Sequence, residues 1–322
     1  MKIQKVIYGI LLAASSVVAV SCSDDNKLDD ESCIIVTTKE QNDFDRWLQA
    51  NYVEPYNITF KYRYEEIESD FDYYTVPADM EQAIQMAHVV KYICMEAYDE
   101  VAGPDFTRAY FPKEFYLIGE WEYRNNGEFI LGTAEGGKKI LLSGINYFNQ
   151  YKTSMANLTH YYLKTIHHEF THILNQTKEM PVDFQYVTGT DYVGGSWSDP
   201  PYNGIDENAG RVNNWYYGHG FISDYAQQEY AEDFAEMVSI YVCYPESHWQ
   251  EILANARNGY TATDGTKVDV DCSALLEAKL SIVKNYMRDS WNIDLDELRD
   301  VIQRRSAEIE AGKVDLMDLT VQ

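Results

Sequence analysis

Apolar residues recur at helical spacing in several stretches of the chain. The clearest runs, in which apolar side chains return every three or four positions, lie over residues 80–101, 156–175 and 225–242. Shorter amphipathic stretches predict helices over residues 41–52, 247–256, 273–290 and 294–311. We expect Pro55 to end the first helix and Gly103-Pro104 to end the second. The second half of the chain is therefore expected to be mainly helical.

Strand-like patterns lie between these helices in the first half of the chain. The segment Tyr56–Tyr64 alternates apolar and polar side chains in the manner of a half-buried strand. Short apolar runs predict further strands at residues 115–118, 129–131 and 139–142. Together they predict a small mixed sheet directly before the helix at 156–175.

Residues 177–224 lack periodicity and are rich in Gly, Tyr and Trp, which predicts an unusually long loop region. Such loops beside a site more often carry function than not, and a stabilising insertion is the alternative. The chain thus divides into a leader at 1–21, a tether at 22–33, a part with helices and the sheet at 34–155, and a mainly helical part at 156–322. We expect the last two parts to form one catalytic unit.

The leader has the features of a lipoprotein signal. Lys2 and Lys5 precede the apolar run Val6–Val20, which is too short for a stop-transfer helix. Small residues directly before Cys22 resemble a bacterial lipobox, which implies cleavage before Cys22 and a lipid anchor on it. An ordinary secretory signal with an incidental cysteine is the alternative. The polar, acidic segment that follows predicts a disordered tether.

The charge of the chain excludes some partners. There are 26 Lys and Arg against 52 Asp and Glu, a formal net charge of −26. Such a surface repels phosphate backbones and anionic headgroups, so we expect no nucleic-acid partner and a body that stands off the membrane on its lipid. No CxxC pair occurs, so buried free thiols are favoured over a thiolate zinc site, and over three possible disulfide pairings, for Cys33, Cys94, Cys243 and Cys272.

The helix at 156–175 contains His168-Glu169-Phe170-Thr171-His172, the HExxH arrangement of zinc-dependent hydrolases. Residues four apart share one face of a helix, so both histidines can bind one metal ion with Glu169 beside it. A small sheet packed on such a helix, followed by a mainly helical part, predicts an α+β, zincin-like fold. His167 points about 100° away from His168 and is expected to pack or to support a ligand.

A catalytic zinc ion needs three protein ligands and one open position, so a third donor must exist. The extended HExxHxxGxxH pattern is excluded, because Asn175 and Lys178 stand where Gly and His are required. Glu232 and Glu236 match the other common arrangement, in which one carboxylate binds the metal and a second, one turn later, accepts a hydrogen bond from a ligand histidine. Their apolar neighbours predict a buried helix, where unpaired carboxylates are costly. The alternatives to Glu232 are His219, Asp224 and Glu229.

The lipobox, the segment His168–Gln176 and the run Phe221–Glu236 together resemble the zinc-binding metallopeptidase lipoproteins of Bacteroidetes, described as substrate-import-associated zinc metallohydrolases. The resemblance is specific over residues 139–245. It implies a zinc hydrolase of nutrient uptake at the outer membrane, exposed on the cell surface or on the periplasmic face. It also implies a TonB-dependent importer and a surface binding lipoprotein as partners. The spacing further resembles gluzincins of the anthrax lethal factor type, whose catalytic tyrosine corresponds to Tyr225.

The expected function is hydrolysis of a peptide or protein substrate with Zn²⁺ bound by His168, His172 and Glu232. Glu169 would act as the general base, and Tyr225 or else His219 as the hydrogen-bond donor to the oxyanion. One alternative is a non-catalytic binding component of an outer-membrane uptake complex, with a structural or vestigial zinc site. Another is a secreted effector that cleaves host proteins. A carboxylate between the two histidines has no role in a structural site, which favours the enzyme.

Overall fold

Helices make up most of the structure, and a small sheet lies among them. The computed structural model describes residues 40–65, 73, 75–123, 129–130, 132–135, 138–206 and 211–321. The predicted leader, Cys22, the tether and Cys33 lie outside these residues. No helix in the described ranges is long and apolar enough to cross a membrane. The predicted α+β class is confirmed in this form, as a mostly helical fold with a small sheet.

The helices, numbered in chain order, are α1 Asp43–Leu48, α2 Met80–Val89, α3 Glu96–Ala102, α4 Pro104–Tyr110, α5 Phe148–Tyr151, α6 Met155–Leu158, α7 Lys164–Thr177, α8 Asp183–Thr188, α9 Tyr230–Cys243, α10 Glu246–Arg257, α11 Ser273–Trp291 and α12 Leu295–Glu310. Wide turns with i→i+5 hydrogen bonds continue α1 (Gln49–Val53), join α2 to α3 (Val90–Met95) and join α6 to α7 (Thr159–Leu163). Tighter 3₁₀ turns lie at Ile145–Tyr147, Gly194–Ser196, Tyr217–His219 and Tyr225–Gln227.

The strands are β1 Thr59–Lys61, β2 Glu114–Leu117, β3 Glu122–Tyr123, β4 Phe129–Ile130, β5 Gly132–Glu135, β6 Lys139–Leu142, β7 Ile205–Asp206, β8 Arg211–Val212, β9 Tyr260–Thr261 and β10 Lys267–Val268. The main sheet has the order β1-β2-β6-β5, in which β1, β2 and β6 are parallel and β5 runs antiparallel to β6. The other strands form three two-stranded pairs. The sheet is therefore mixed, and β5 lies at one of its edges.

Strands β2 and β6 are buried on both faces, which explains why their sequences are nearly continuous apolar runs. Phe115 and Leu117 of β2 point into the large apolar core, together with Ile140 of β6. Tyr116 and its neighbours on the opposite face form a second, smaller cluster. The apolar runs that predicted β2 and β6 thus reflect burial on two sides.

The first helix runs further than predicted, because Pro55 does not end it. Helical turns continue from α1 through Glu54–Tyr56, and Asn57 ends them in the left-handed conformation at φ 54°. Pro55 stands in the first turn of the α-helical segment Glu54–Tyr56, directly after the wide turn Gln49–Val53, and proline is tolerated at that position of a helix. The strand predicted over Tyr56–Tyr64 is shortened to β1, and it starts later than predicted because the helical turns run through Tyr56.

The described residues between 177 and 224 are mostly irregular, as predicted, although they include α8, the short pair β7 and β8, and the 3₁₀ turns at Gly194–Ser196 and Tyr217–His219. Cys94, Cys243 and Cys272 are buried free thiols. The preference for free thiols is therefore confirmed for these three cysteines.

Aromatic packing holds α7 against the rest of the core. Phe170 contacts Tyr98, Phe106 and Phe111, with ring centroids 5.0, 6.0 and 4.8 Å away. Burying one such ring stabilises the fold by about 1.5–3 kcal/mol. His167 is fully buried in this cluster, and its Nδ1 lies 3.0 Å from the Tyr98 hydroxyl. His167 therefore packs in the core, which is one of the two roles expected for it.

The close packing around Gly144, in the turn after β6, leads to a prediction about stability. Gly144 has φ 70°, and a Cβ there would lie 2.3 Å from the Trp121 ring, while its carbonyl accepts a 2.8 Å hydrogen bond from Tyr162. Gly144→Ala should lower the free energy of unfolding by about 2–5 kcal/mol, because the substitution adds backbone strain and overpacking. Urea denaturation measures this change. Gly312→Ala is the matched control, because Gly312 has φ 67° and no atom within 4 Å of its Cβ position. Equal losses in both variants would contradict overpacking as the cause.

Candidate metal centre

Two helices bring three metal-binding side chains to one point. α7 presents His168 and His172 on one face, and the first turn of α9 presents Glu232. His168 Nε2 lies 2.9 Å from Glu232 Oε2 and 3.1 Å from His172 Nε2, and His172 Nε2 lies 3.3 Å from Glu232 Oε2. Among the described residues, these three side chains form the group that could hold a metal ion.

The separations and the charge of this group fit zinc. A tetrahedral zinc ion with bonds of about 2.0–2.1 Å separates its ligand atoms by about 3.3 Å. Burial opposes ionisation of Glu232, yet its hydrogen bonds to His168 and His172 hold the pKa of its carboxyl well below the usual range. Burial would also lower the pKa of His168, but Glu232 and Glu236 raise it to about 9. The carboxylates thus favour positive charge where the donor atoms converge.

Glu236 lies one turn beyond Glu232 and is 1% exposed. Its Oε1 is 3.0 Å from Nδ1 of His168, and because an ionised carboxylate only accepts, Nδ1 is the donor and Nε2 is the ring nitrogen on the side of the metal position. Burial opposes the charge of Glu236, but Lys164 and hydrogen bonds from His168 and Ser223 hold the pKa of its carboxyl well below the usual range. The structure thus places Glu236 where the sequence predicted it.

Lys164 and Ser223 complete the surroundings of Glu236, and neither was predicted from the sequence. Lys164 Nζ lies 2.9 and 3.0 Å from the two carboxylate oxygens, and Ser223 Oγ donates to Oε2 at 2.6 Å. A basic residue four positions before His168, on the same helix face, was the signal for Lys164. Ser223 had no comparable signal, because it lies in the region without periodicity.

Glu169 and Tyr225 lie beside the metal group. Glu169 is half-buried, and its charge acts on both His168 and Tyr225. The Tyr225 ring centroid is 5.7 Å from that of His168, and Trp197 packs edge-on against Tyr225 at 4.9 Å. Burial and the charges of Glu232 and Glu169 raise the pKa of Tyr225. The phenol therefore keeps its proton and can donate a hydrogen bond.

The alternative ligands lie in other contacts. His219 Nδ1 lies 2.7 Å from the carbonyl oxygen of Trp215, and the two rings stack. Asp224 accepts a hydrogen bond from the backbone N–H of Tyr225, and Glu229 is exposed. Within the described ranges, none of these three candidates joins the metal group.

Comparisons with known proteins match most of the chain. A family model described as "Putative zinc-binding metallo-peptidase" matches residues 37–296. A crystal structure from Bacteroides caccae, described as a "putative zinc-binding metallo-peptidase", is 38% identical, has a TM-score of 0.68, and covers 86% of this chain and 96% of its own. No curated protein matches the chain. The matched residues include the whole metal group with Lys164, Ser223 and Glu236.

The contact between Lys164 and Glu236 predicts a loss of zinc affinity on mutation. Lys164→Met should weaken zinc binding about 10–100-fold, because Glu236 loses the cation that keeps it ionised and oriented toward His168. Competition with a chelator measures this change. Lys91→Met is the control, because Lys91 also pairs with a glutamate and its side chain is 23% exposed, against 22% for Lys164. Equal zinc affinity in the two variants would contradict the role of Lys164.

Proposed function

The chain belongs to this family of zinc-binding metallo-peptidases, and we propose that it hydrolyses peptide bonds as a zinc metallopeptidase of the gluzincin type with a zincin-like fold. The observation that carries the proposal is the convergence of His168, His172 and Glu232, with a second glutamate inside the HExxH motif. A site that only stabilised the fold would need four ligands and no base. Here three ligands leave a fourth position beside Glu169.

The residues of the site have distinct roles in the proposed reaction. Zinc bound here would lower the pKa of a water molecule to about 7 and polarise the substrate carbonyl. Glu169 accepts the proton of the attacking water and passes it to the leaving amine nitrogen. Tyr225 donates a hydrogen bond to the oxyanion. Glu236 holds the ring of His168 in the orientation that binding requires.

The main sheet supports a peptide as the substrate. β5 lies at the sheet edge, runs antiparallel to β6 and packs directly against α7. Its outer edge has no partner strand among the described residues. Such an edge presents backbone N–H and C=O groups that can pair with an extended peptide. A substrate main chain bound along β5 would pass next to the helix that carries the two histidines.

The proposed setting is nutrient capture at the outer membrane. Support comes from the leader, which ends directly before Cys22, and from the acidic segment that follows, both outside the described residues. The lipid on Cys22 would anchor the enzyme at the cell surface, beside a TonB-dependent importer and a surface binding lipoprotein. Labelling with radioactive palmitate and surface protease accessibility, compared with Cys22→Ala, test the anchor and its exposure.

Glu169→Gln tests catalysis separately from metal binding. The variant should lose about 10²–10⁴-fold in cleavage of a proteome-derived peptide library, because no base activates the water. Its zinc content should stay at the wild-type value. Glu179→Gln, an exposed site just after α7 with the same charge change, is the control. Bound zinc without any Glu169-dependent cleavage would instead favour the non-catalytic binding component.

Tyr225→Phe tests the oxyanion donor. The loss of the hydroxyl should lower kcat about 10²–10³-fold and change KM little, because the hydrogen bond strengthens in the transition state. Steady-state kinetics on a cleaved peptide measure the two constants. Tyr230→Phe is the control, because Tyr230 is 44% exposed at the start of α9. If kcat/KM of Tyr225→Phe equals that of the wild type, Tyr225 is not the donor.

A further inference from the structure

Lys279 of α11 is a fully buried lysine with a defined partner for each of its N–H groups. Nζ donates to Asp233 Oδ2 at 2.6 Å and to the carbonyl of Gly220 at 2.9 Å, and it lies 4.1 Å from the centre of the Phe221 ring. The side chains of Lys279 and Asp233 are both 0% exposed. An ammonium has three donors, and a carboxylate, a carbonyl and an aromatic face accept them. Its position is therefore closely determined.

The carboxylate partner of Lys279 is the direct neighbour of a metal ligand. Asp233 follows Glu232 in the first turn of α9. Its Oδ2 also accepts a hydrogen bond from the Tyr192 hydroxyl at 2.9 Å. Lys279 and Tyr192 thus hold the turn of α9 that carries Glu232.

The other two partners of Lys279, Gly220 and Phe221, lie close in sequence to further residues of the site. Gly220 and Phe221 come just before Ser223, which donates to Glu236, and before Tyr225. Gly220 has φ 77°, and a Cβ there would lie 2.8 Å from Leu275 of α11. The loop therefore meets α11 through its backbone. We refer to the whole contact as the Lys279 junction, formed by Tyr192, Gly220, Phe221, Asp233 and Lys279.

We propose that Lys279 is a positioning residue of the metal centre. It fixes the loop that carries Tyr225 relative to the turn that carries Glu232. Lys279 itself takes no part in the reaction steps proposed for those two residues. The inference rests on the proposed function for the roles of Tyr225 and Glu232. Metal binding and backbone protection, which require no substrate, report on it independently.

Buried ion pairs in general are not required for stability. Apolar residues of similar size often replace a buried pair without loss of stability, whereas removing one partner leaves an uncompensated buried charge. Lys279→Met together with Asp233→Leu therefore removes the ion pair, and with it the contacts to Gly220 and Tyr192, and keeps the core filled. If the pair only stabilised the fold, the folded double variant would bind zinc with the affinity of the wild type.

The experiment compares the double variant with a control pair on the same helix. Lys284 and Asp296, 2.8 Å apart and 33% and 50% exposed, join α11 to α12, and Lys284→Met with Asp296→Asn removes their contact. Three measurements are made on the full chain. They are the zinc dissociation constant by chelator competition, the visible absorption of the Co²⁺-loaded protein, and hydrogen exchange of the amides at residues 220–226.

We expect the Lys279 and Asp233 double variant to bind zinc about tenfold more weakly, to change the Co²⁺ absorption and to exchange the loop amides faster, with the control unchanged. Wild-type behaviour in all three measurements would overturn the proposal. Should the double variant not fold, Tyr192→Phe decides it. That variant keeps both charges and removes one hydrogen bond of the junction, so faster loop exchange supports the proposal and unchanged exchange refutes it. An absence of peptide cleavage would reject the proposed function and leave these three measurements valid.

Discussion

The buried carboxylate of Glu236 is the group on which the arrangement of the site depends. A charge at 1% exposure is tolerated only with compensating partners, and these come from separate segments: His168 and Lys164 from α7, and Ser223 from the loop before α9. These hydrogen bonds form together only when α7, α9 and the loop are packed. The contacts that satisfy the charge therefore also turn His168 Nε2 toward Glu232.

The charges on α9 are balanced in a way that leaves the metal-facing carboxylate available. Glu236 pairs with Lys164 from one side, and Asp233 pairs with Lys279 from another. Glu232 has the two histidines as its partners instead of a lysine. The interior of an acidic protein thus holds two neutralised pairs around one carboxylate whose charge a divalent cation can complement. A lysine in place of either histidine would compete with the metal for Glu232.

The sequence predicted those parts of the structure that depend on local periodicity or on fixed spacing. α7 and α9 follow the helical period, and the spacing of Glu232 and Glu236 predicted two carboxylates that the structure brings next to His168, while other ligands remained open at that point. Lys279 could not be predicted in the same way, because it belongs to no motif and its partners Asp233 and Gly220 lie far away in the sequence. The prediction that Pro55 ends the first helix was wrong for a related reason. The helical turns around Pro55, and not the conformational preference of proline, decide where that helix ends. Strand order likewise depends on which chain segments meet, and no local pattern records that.

Part of the region without periodicity is nonetheless held in place by hydrogen bonds, and this bears on the catalysis proposed for the site. The backbone N–H groups of Val193 and Gly194 donate to the carbonyls of Gln227 and Gln228 at 2.8 and 3.1 Å, and the Gln227 side chain donates to the carbonyl of Tyr202 at 2.8 Å. The loop is thereby bound to the turn that carries Tyr225. A hydrogen-bond donor that is oriented before the substrate arrives requires little reorganisation as charge develops on the oxyanion, and preorganisation of this kind accounts for much of the rate enhancement of many enzymes. Without these hydrogen bonds, the turn would leave that donor free to move. They therefore explain how an irregular segment contributes to the proposed site, whose metal group lies on helices.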